Sequence, residues 1–262
     1  MGKLLACYLM PHPPIIVPEV GRGEQRIIDD TAQSMRKCWD QIHKQQPDTV
    51  LLITPHGTVF RDALAINFDS SLRGDLGSFR AKDVFVRMDN DIDLCRDIAS
   101  RVENYGIPVI AMDKGTATEY NVTTRLDHGA LIPLYFAGED LNKYKLVHIS
   151  IAILPYERLY VLGSIIGETI RDISNKSVVV IASGDLSHRL TVDAPAGFSP
   201  KGRELDDTIV RSLKEFDVQG LINIDGELVE QGGECGLRPI IMMMGALDGY
   251  DVQPEVLSYE GP

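Results

Sequence analysis

The chain has 262 residues, 44% of them hydrophobic and 24% charged, and a formal net charge of -12. That length and apolar content bury a sizeable core without staples, as one large α/β domain or two smaller ones. With no run of Lys or Arg, the acidic balance excludes nucleic acid and anionic membrane as main partners, but not an anionic small substrate in a local pocket.

In chain order, the apolar run 4–10 predicts a strand, too short to span a bilayer and ended by Pro11, Pro13 and Pro14. An amphipathic stretch predicts a helix over 23–46, followed by strands over 49–54 and 63–68. The same periodicities give a helix over 91–105, a strand over 108–112 and a helix over 129–137. Next come a strand over 146–154, a helix over 156–174 and a strand over 178–183. Helices over 201–215 and 238–247 follow, and a last strand starts near Val256. Strands alternating with amphipathic helices define an α/β fold, three layers α/β/α around a mostly parallel or mixed sheet.

No linker, composition shift or internal repeat divides the chain, so residues 1–262 form one domain. The sequence stops just after the strand-like segment, which fits a module continued by a final strand or a second domain. Cys7, Cys38, Cys95 and Cys235 are scattered without a C-x-x-C pair, which suits a reducing, cytoplasmic setting.

Three histidines fall in the same kind of place. His12 follows the first strand in Met10-Pro11-His12-Pro13-Pro14, and His56 follows the second in Thr54-Pro55-His56-Gly57. His188 follows a later strand in Ser183-Gly184-Asp185-Leu186-Ser187-His188. Ligands of open α/β sheets bind outside the carboxyl ends of the strands, so three such histidines converge if their strands are parallel and close. Any one alone fits a loop cap as well as a ligand; the set of three does not. Proline before His12 and His56 stiffens those loops, as a metal site or acid/base site requires. His128 follows Asp127, a candidate N-cap, and lies in the first turn of an apolar helix, where neutral imidazole is favoured. His43, in a charged helix end, is expected to be solvated, and His148, inside a strand, to be a hydrogen-bonded core residue.

Two histidines and a carboxylate make the facial arrangement of non-haem Fe(II) oxygenases. The candidate carboxylate is Glu234 in Gly232-Gly233-Glu234-Cys235-Gly236, although spacing alone does not separate it from Asp185.

Taken in order, Pro11-His12-Pro13-Pro14, Pro55-His56, Asp127-His128-Gly129 with Pro133-Leu134, and Ser183-Gly184-Asp185-Leu186-Ser187-His188 resemble the LigB superfamily. That superfamily holds the catalytic subunits of class III extradiol dioxygenases and the Memo proteins. The stretch 11–21 and Glu234-Cys235-Gly236-Leu237-Arg238 resemble the LigB-like module of bacterial AmmeMemoRadiSam proteins, found beside or fused to an AMMECR-type domain. The resemblance implies that His12, His56 and Glu234 hold the metal, that His188 is the acid/base, and that His128 contacts substrate or oxygen. Cys235 before Gly236 matches the third ligand of Memo-like members and is the alternative to Glu234. Carboxylate suits Fe(II) and thiolate suits copper or zinc; the expectation favours Glu234 and Fe(II).

The implied function is an Fe(II)-dependent extradiol dioxygenase that cleaves a catechol-like or aminophenol-like ring with dioxygen. The alternatives are a Memo-like metal-binding protein with a redox or partner-binding role and no ring cleavage, and a hydrolase using the same crevice. Expected partners are a small aromatic substrate and dioxygen, with a homo-oligomer or an AMMECR-type domain as the protein partner.

Overall fold

The computed structural model describes residues 1–194 and 196–261. Its strands are β1 (Lys3–Met10), β2 (Thr49–Thr54), β3 (Leu64–Asn67), β4 (Ser71–Leu76), β5 (Ala81–Asp89), β6 (Val109–Met112), β7 (Lys145–Ser150) and β8 (Ser177–Ser183). Six of them form one sheet in the order β1-β8-β2-β7-β3-β6. All neighbours run parallel except β3, which lies antiparallel to β7. The strands β4 and β5 make a separate antiparallel hairpin.

The central strands read as unbroken apolar runs because both sheet faces are covered. Period two sorts their side chains. Val50 and Leu52 of β2 join one core with Trp39 and Ile42 of the helix Asp29–Gln45 and Leu131 of the helix His128–Tyr135. Leu51 and Ile53 join the opposite core with Ile98, Ile166 and Ile241, from the helices Ile92–Asn104, Tyr156–Asp172 and Leu237–Ala246. The result is the three-layer α/β/α arrangement that the sequence predicts.

The predicted first helix splits into a 3-10 turn, Glu24–Ile28, and the α-helix Asp29–Gln45. The strand expected over 146–154 ends at Ser150. The hairpin β4–β5 and the short helices Pro18–Gly21, Lys114–Tyr120, Val218–Ile222 and Gly226–Gly232 are additions to the predicted elements. No strand forms near Val256: residues 251–261 are irregular, held by Tyr259 Oη donating to Asp206 Oδ2 (2.6 Å) and the Thr31 N–H donating to Glu260 Oε2 (2.7 Å). That segment and β1 both line a cavity of about 1360 Å³ and are not paired in a ladder. His43 is not solvated either; its ring bridges the Tyr144 hydroxyl (2.7 Å) and the Ala137 carbonyl (3.1 Å). Among the described residues no helix is long and apolar enough to cross a membrane.

For the site, the adjacency of β1, β8 and β2 matters most. Met10 pairs with Ser183, and Ile53 with Ala182, so three parallel strands end side by side at one rim of the sheet.

Candidate metal centre

The loops that leave that rim carry His12, His56 and Asp185 with His188. The structure gathers the first two with His128: ring centroids are 4.8 Å apart for His12 and His56, 5.3 Å for His12 and His128, and 4.4 Å for His56 and His128. His128 reaches the cluster because Asp127 caps its helix, accepting from the Ala130 N–H (3.2 Å) and from Thr54 Oγ1 (2.7 Å). Asp127 also accepts from His148 Nε2 (3.1 Å), a buried residue hydrogen-bonded as expected.

His12 is 1% exposed, and its ring is oriented by a short relay. Ser183 Oγ donates its one proton to the Gly129 carbonyl, so at 2.8 Å from His12 Nδ1 it can only accept. Nδ1 therefore carries the proton, and Nε2 presents a lone pair, the arrangement that a buried metal-ligating histidine needs. Nε2 faces Cys235 Sγ at 3.5 Å and Asp185 Oδ2 at 3.8 Å. Burial first, then His128, lowers the pKa of His12 to about 3. The packed surroundings of His56, then His12 and His128, lower its pKa to about 4, and burial lowers that of His128. All three are neutral, and so ligand-competent, at pH 7.

Two overlapping sets of donor atoms lie within 4.8 Å of one another: His12, His56 and Cys235, and Asp185, His188 and Cys235. Cys235 belongs to both. Glu234 belongs to neither; its Oε2 accepts from the Leu237 N–H at 2.5 Å, at the start of the helix Leu237–Ala246. His188 is exposed, with Nε2 3.8 Å from Cys235 Sγ.

The two loops that meet at Cys235 are zipped together. The N–H groups of Cys235 (3.2 Å) and Gly236 (2.9 Å) donate to the Asp185 carbonyl, and that of His188 donates to Gly233 O (2.8 Å). Gly184 permits the approach, since a Cβ there would stand 2.2 Å from Gly236 Cα. Asp185, the carboxylate that spacing alone does not separate from Glu234, lies in the second of the two donor sets. It accepts from the His12 N–H at 2.6 Å, and burial raises its pKa.

The donor set fits a metal ion. Burial, then Asp185, pushes the Cys235 thiol well above its ordinary pKa despite the Asp185 N–H donating to Sγ (3.3 Å), so ligation would require a cation to displace the thiol proton.

An open three-layer α/β sheet thus brings imidazoles, a thiol and a carboxylate together at its carboxyl rim, where sheets of this class bind their ligands. Residues 6–262 match the family described as "Catalytic LigB subunit of aromatic ring-opening dioxygenase", and the chain belongs to that family. It is 38% identical over 254 residues to Protein CA_C1420 of Clostridium acetobutylicum, covering 97% of this chain and 54% of that protein, so it spans about half of that relative's length. It is 25% identical over 273 residues to the 3,4-dihydroxyphenylacetate 2,3-dioxygenase of Escherichia coli, covering 96% of this chain and 93% of that enzyme. The crystal structure of uncharacterized protein JW3007 from Escherichia coli K12 shares the fold, with a TM-score of 0.58, 15% identity and 82% of each chain covered.

Proposed function

We propose that this protein is a metal-binding redox protein of the Memo type, holding one ion through His12 Nε2, His56 and Cys235 Sγ. The observation that carries the reading is the gathering of those three donors while Glu234 is engaged at a helix start. A donor set of two imidazoles and a thiolate favours copper or zinc over Fe(II). When bound, the ion would supply Lewis acidity or electron transfer to a small ligand.

The protein's own groups do the rest. Ser183 fixes the His12 tautomer, and His128, stacked on His56 and edge-on to Phe79 at 5.3 Å, walls the approach. His188, exposed beside Cys235, accepts a proton from a ligand hydroxyl at Nε2 and returns it, as general base and then acid. The finer kinship with the AmmeMemoRadiSam module, and an AMMECR-type companion domain, belong to this proposal.

Metal analysis of purified variants tests it. Wild type should hold about one ion per chain, as a single site of this type implies. Cys235→Ser and the double variant His12→Ala/His56→Ala should lose it, and Glu234→Ala should keep it. A site emptied by Glu234→Ala and retained in Cys235→Ser would overturn the thiolate reading and restore the carboxylate set.

A second reading, an Fe(II) ring-cleaving dioxygenase, is supported by the likeness to the dihydroxyphenylacetate enzyme along nearly the whole chain. Oxygen uptake by the iron-loaded protein with a panel of catechols and aminophenols separates the two: turnover favours the second reading, its absence the first.

A further inference from the structure

The hairpin β4–β5 carries a feature that the metal centre does not use. Arg73 and Arg87 are register partners, directly opposite each other on the exposed face of the two strands. Like charges in that position repel and destabilise a ladder. Among the described residues neither forms an ion pair with a carboxylate. In a chain of net charge -12, two arginines left facing each other need a reason.

They line a cavity of about 220 Å³ together with Lys114, Arg125, Asp69, Ser70, Ser71 and Thr124. None of these residues lines the larger cavity that holds His12, His56 and His128. The lining is positively charged even when Asp75, the partner of Arg125, is counted with it. Asp69, the one lining carboxylate, accepts from Thr124 Oγ1 at 2.6 Å. Arg87 is oriented by its Nε donating to Ser71 Oγ at 3.1 Å, which leaves the Ser71 hydroxyl proton free to donate to a ligand. The volume is below the ~300–1,000 Å³ of pockets for drug-sized molecules, and suits a tetrahedral oxyanion with a few waters of ~30 Å³ each.

We propose that this cavity binds a phosphate-type oxyanion, held by Arg73, Arg87 and Lys114, as inorganic phosphate or as the phosphoryl group of a phosphomonoester. Guanidinium forks from two facing strands match phosphate oxygens, and the bound charge relieves the repulsion between them. The site is independent of the metal-centre reading, since no residue is shared.

Calorimetric titration of the protein at low, matched ionic strength tests the proposal, with inorganic phosphate, phenyl phosphate and chloride as titrants. Phosphate should bind where chloride does not. Tighter binding of phenyl phosphate assigns the site to a phosphomonoester, and equal or weaker binding to the free anion. Arg73→Gln and Arg87→Gln should each weaken phosphate by about tenfold or more, the loss of one charge-assisted hydrogen bond. Both variants should melt at or above the wild-type temperature in phosphate-free buffer and lose the rise in melting temperature that phosphate gives the wild type. Phosphate no better than chloride, or variants with wild-type affinity, would overturn the site. So would phosphate binding that disappears in His12→Ala instead, which would assign the anion to the metal centre.

Discussion

At Ser183 one hydroxyl proton settles what His12 offers: it goes to Gly129 O, the oxygen accepts from Nδ1–H, and Nε2 is left with a lone pair facing Cys235. Ser183→Ala removes the acceptor and should weaken metal affinity by about 10–100-fold, measured by competition with a chelator. Proton bookkeeping separates the two candidate third ligands. His12 and His56, at about 3 and 4, are already neutral at pH 7, whereas the Cys235 thiol is raised by burial and must lose its proton on binding. Affinity should therefore rise about tenfold per pH unit between pH 6 and 8, with about one proton released per ion. Zinc titrations in buffers of different ionisation enthalpy would show it; a pH-independent affinity would point to a carboxylate ligand. Sequence reasoning placed the histidines from their strand ends but preferred Glu234 to Cys235, because oxygen donors suit iron. Glu234 Oε2 accepts from the N–H of Leu237, the first residue of an apolar helix, and the contrast between Glu234→Ala and Cys235→Ser decides which of the two is the ligand.

At the scale of elements, the helix His128–Tyr135 depends on Asp127, which joins its start to β2 through Thr54 and to β7 through His148. Burial raises the pKa of Asp127, but the hydrogen bonds from His148 and Thr54 outweigh it and hold the carboxyl at about 2. A depressed carboxylate contributes stability above its unfolded value, near 3.8, and loses it as pH falls through the folded one. That contribution is about 2 kcal/mol at pH 7, draining between roughly pH 5 and 1. Asp127→Asn should lower stability by about that amount at pH 7 and by little near pH 2, measured by urea denaturation at both. Equal losses at the two values would remove the ionised cap from the account. This helix start was legible, because an Asp before an apolar run is a strong local signal. The hairpin β4–β5 was not. Its buried positions Leu72, Gly74 and Leu76, and Val84, Val86 and Met88, alternate with Arg73, Asp75, Phe85 and Arg87, and a glycine at one inward position and an exposed phenylalanine at one outward position blunt the period.

At the scale of the molecule, strand order is the nonlocal fact. Parallel neighbours β1, β8 and β2 are far apart in sequence, so alternation could announce three strand ends without saying that they adjoin. Cys235 is held at the same rim by its loop's hydrogen bonds to Asp185 and stands two residues before the helix Leu237–Ala246, which lies against the helix Tyr156–Asp172. Their backbones touch: a Cβ on Gly163 would stand 2.0 Å from the Met242 carbonyl oxygen. Gly163→Ala must push the helices apart, an overpacking that costs about 1–3 kcal/mol. Displacing the later helix also carries Cys235 away from His12 Nε2, now 3.5 Å from it. Gly163→Ala should therefore lower the melting temperature and weaken the metal together, although it touches no ligand. Ser164→Ala, on the same helix, loses only a surface hydrogen bond to Asp248 and should change neither appreciably. If Gly163→Ala melts early yet binds metal with wild-type affinity, helix packing does not set the position of Cys235, and the hydrogen bonds to the Asp185 carbonyl hold it alone.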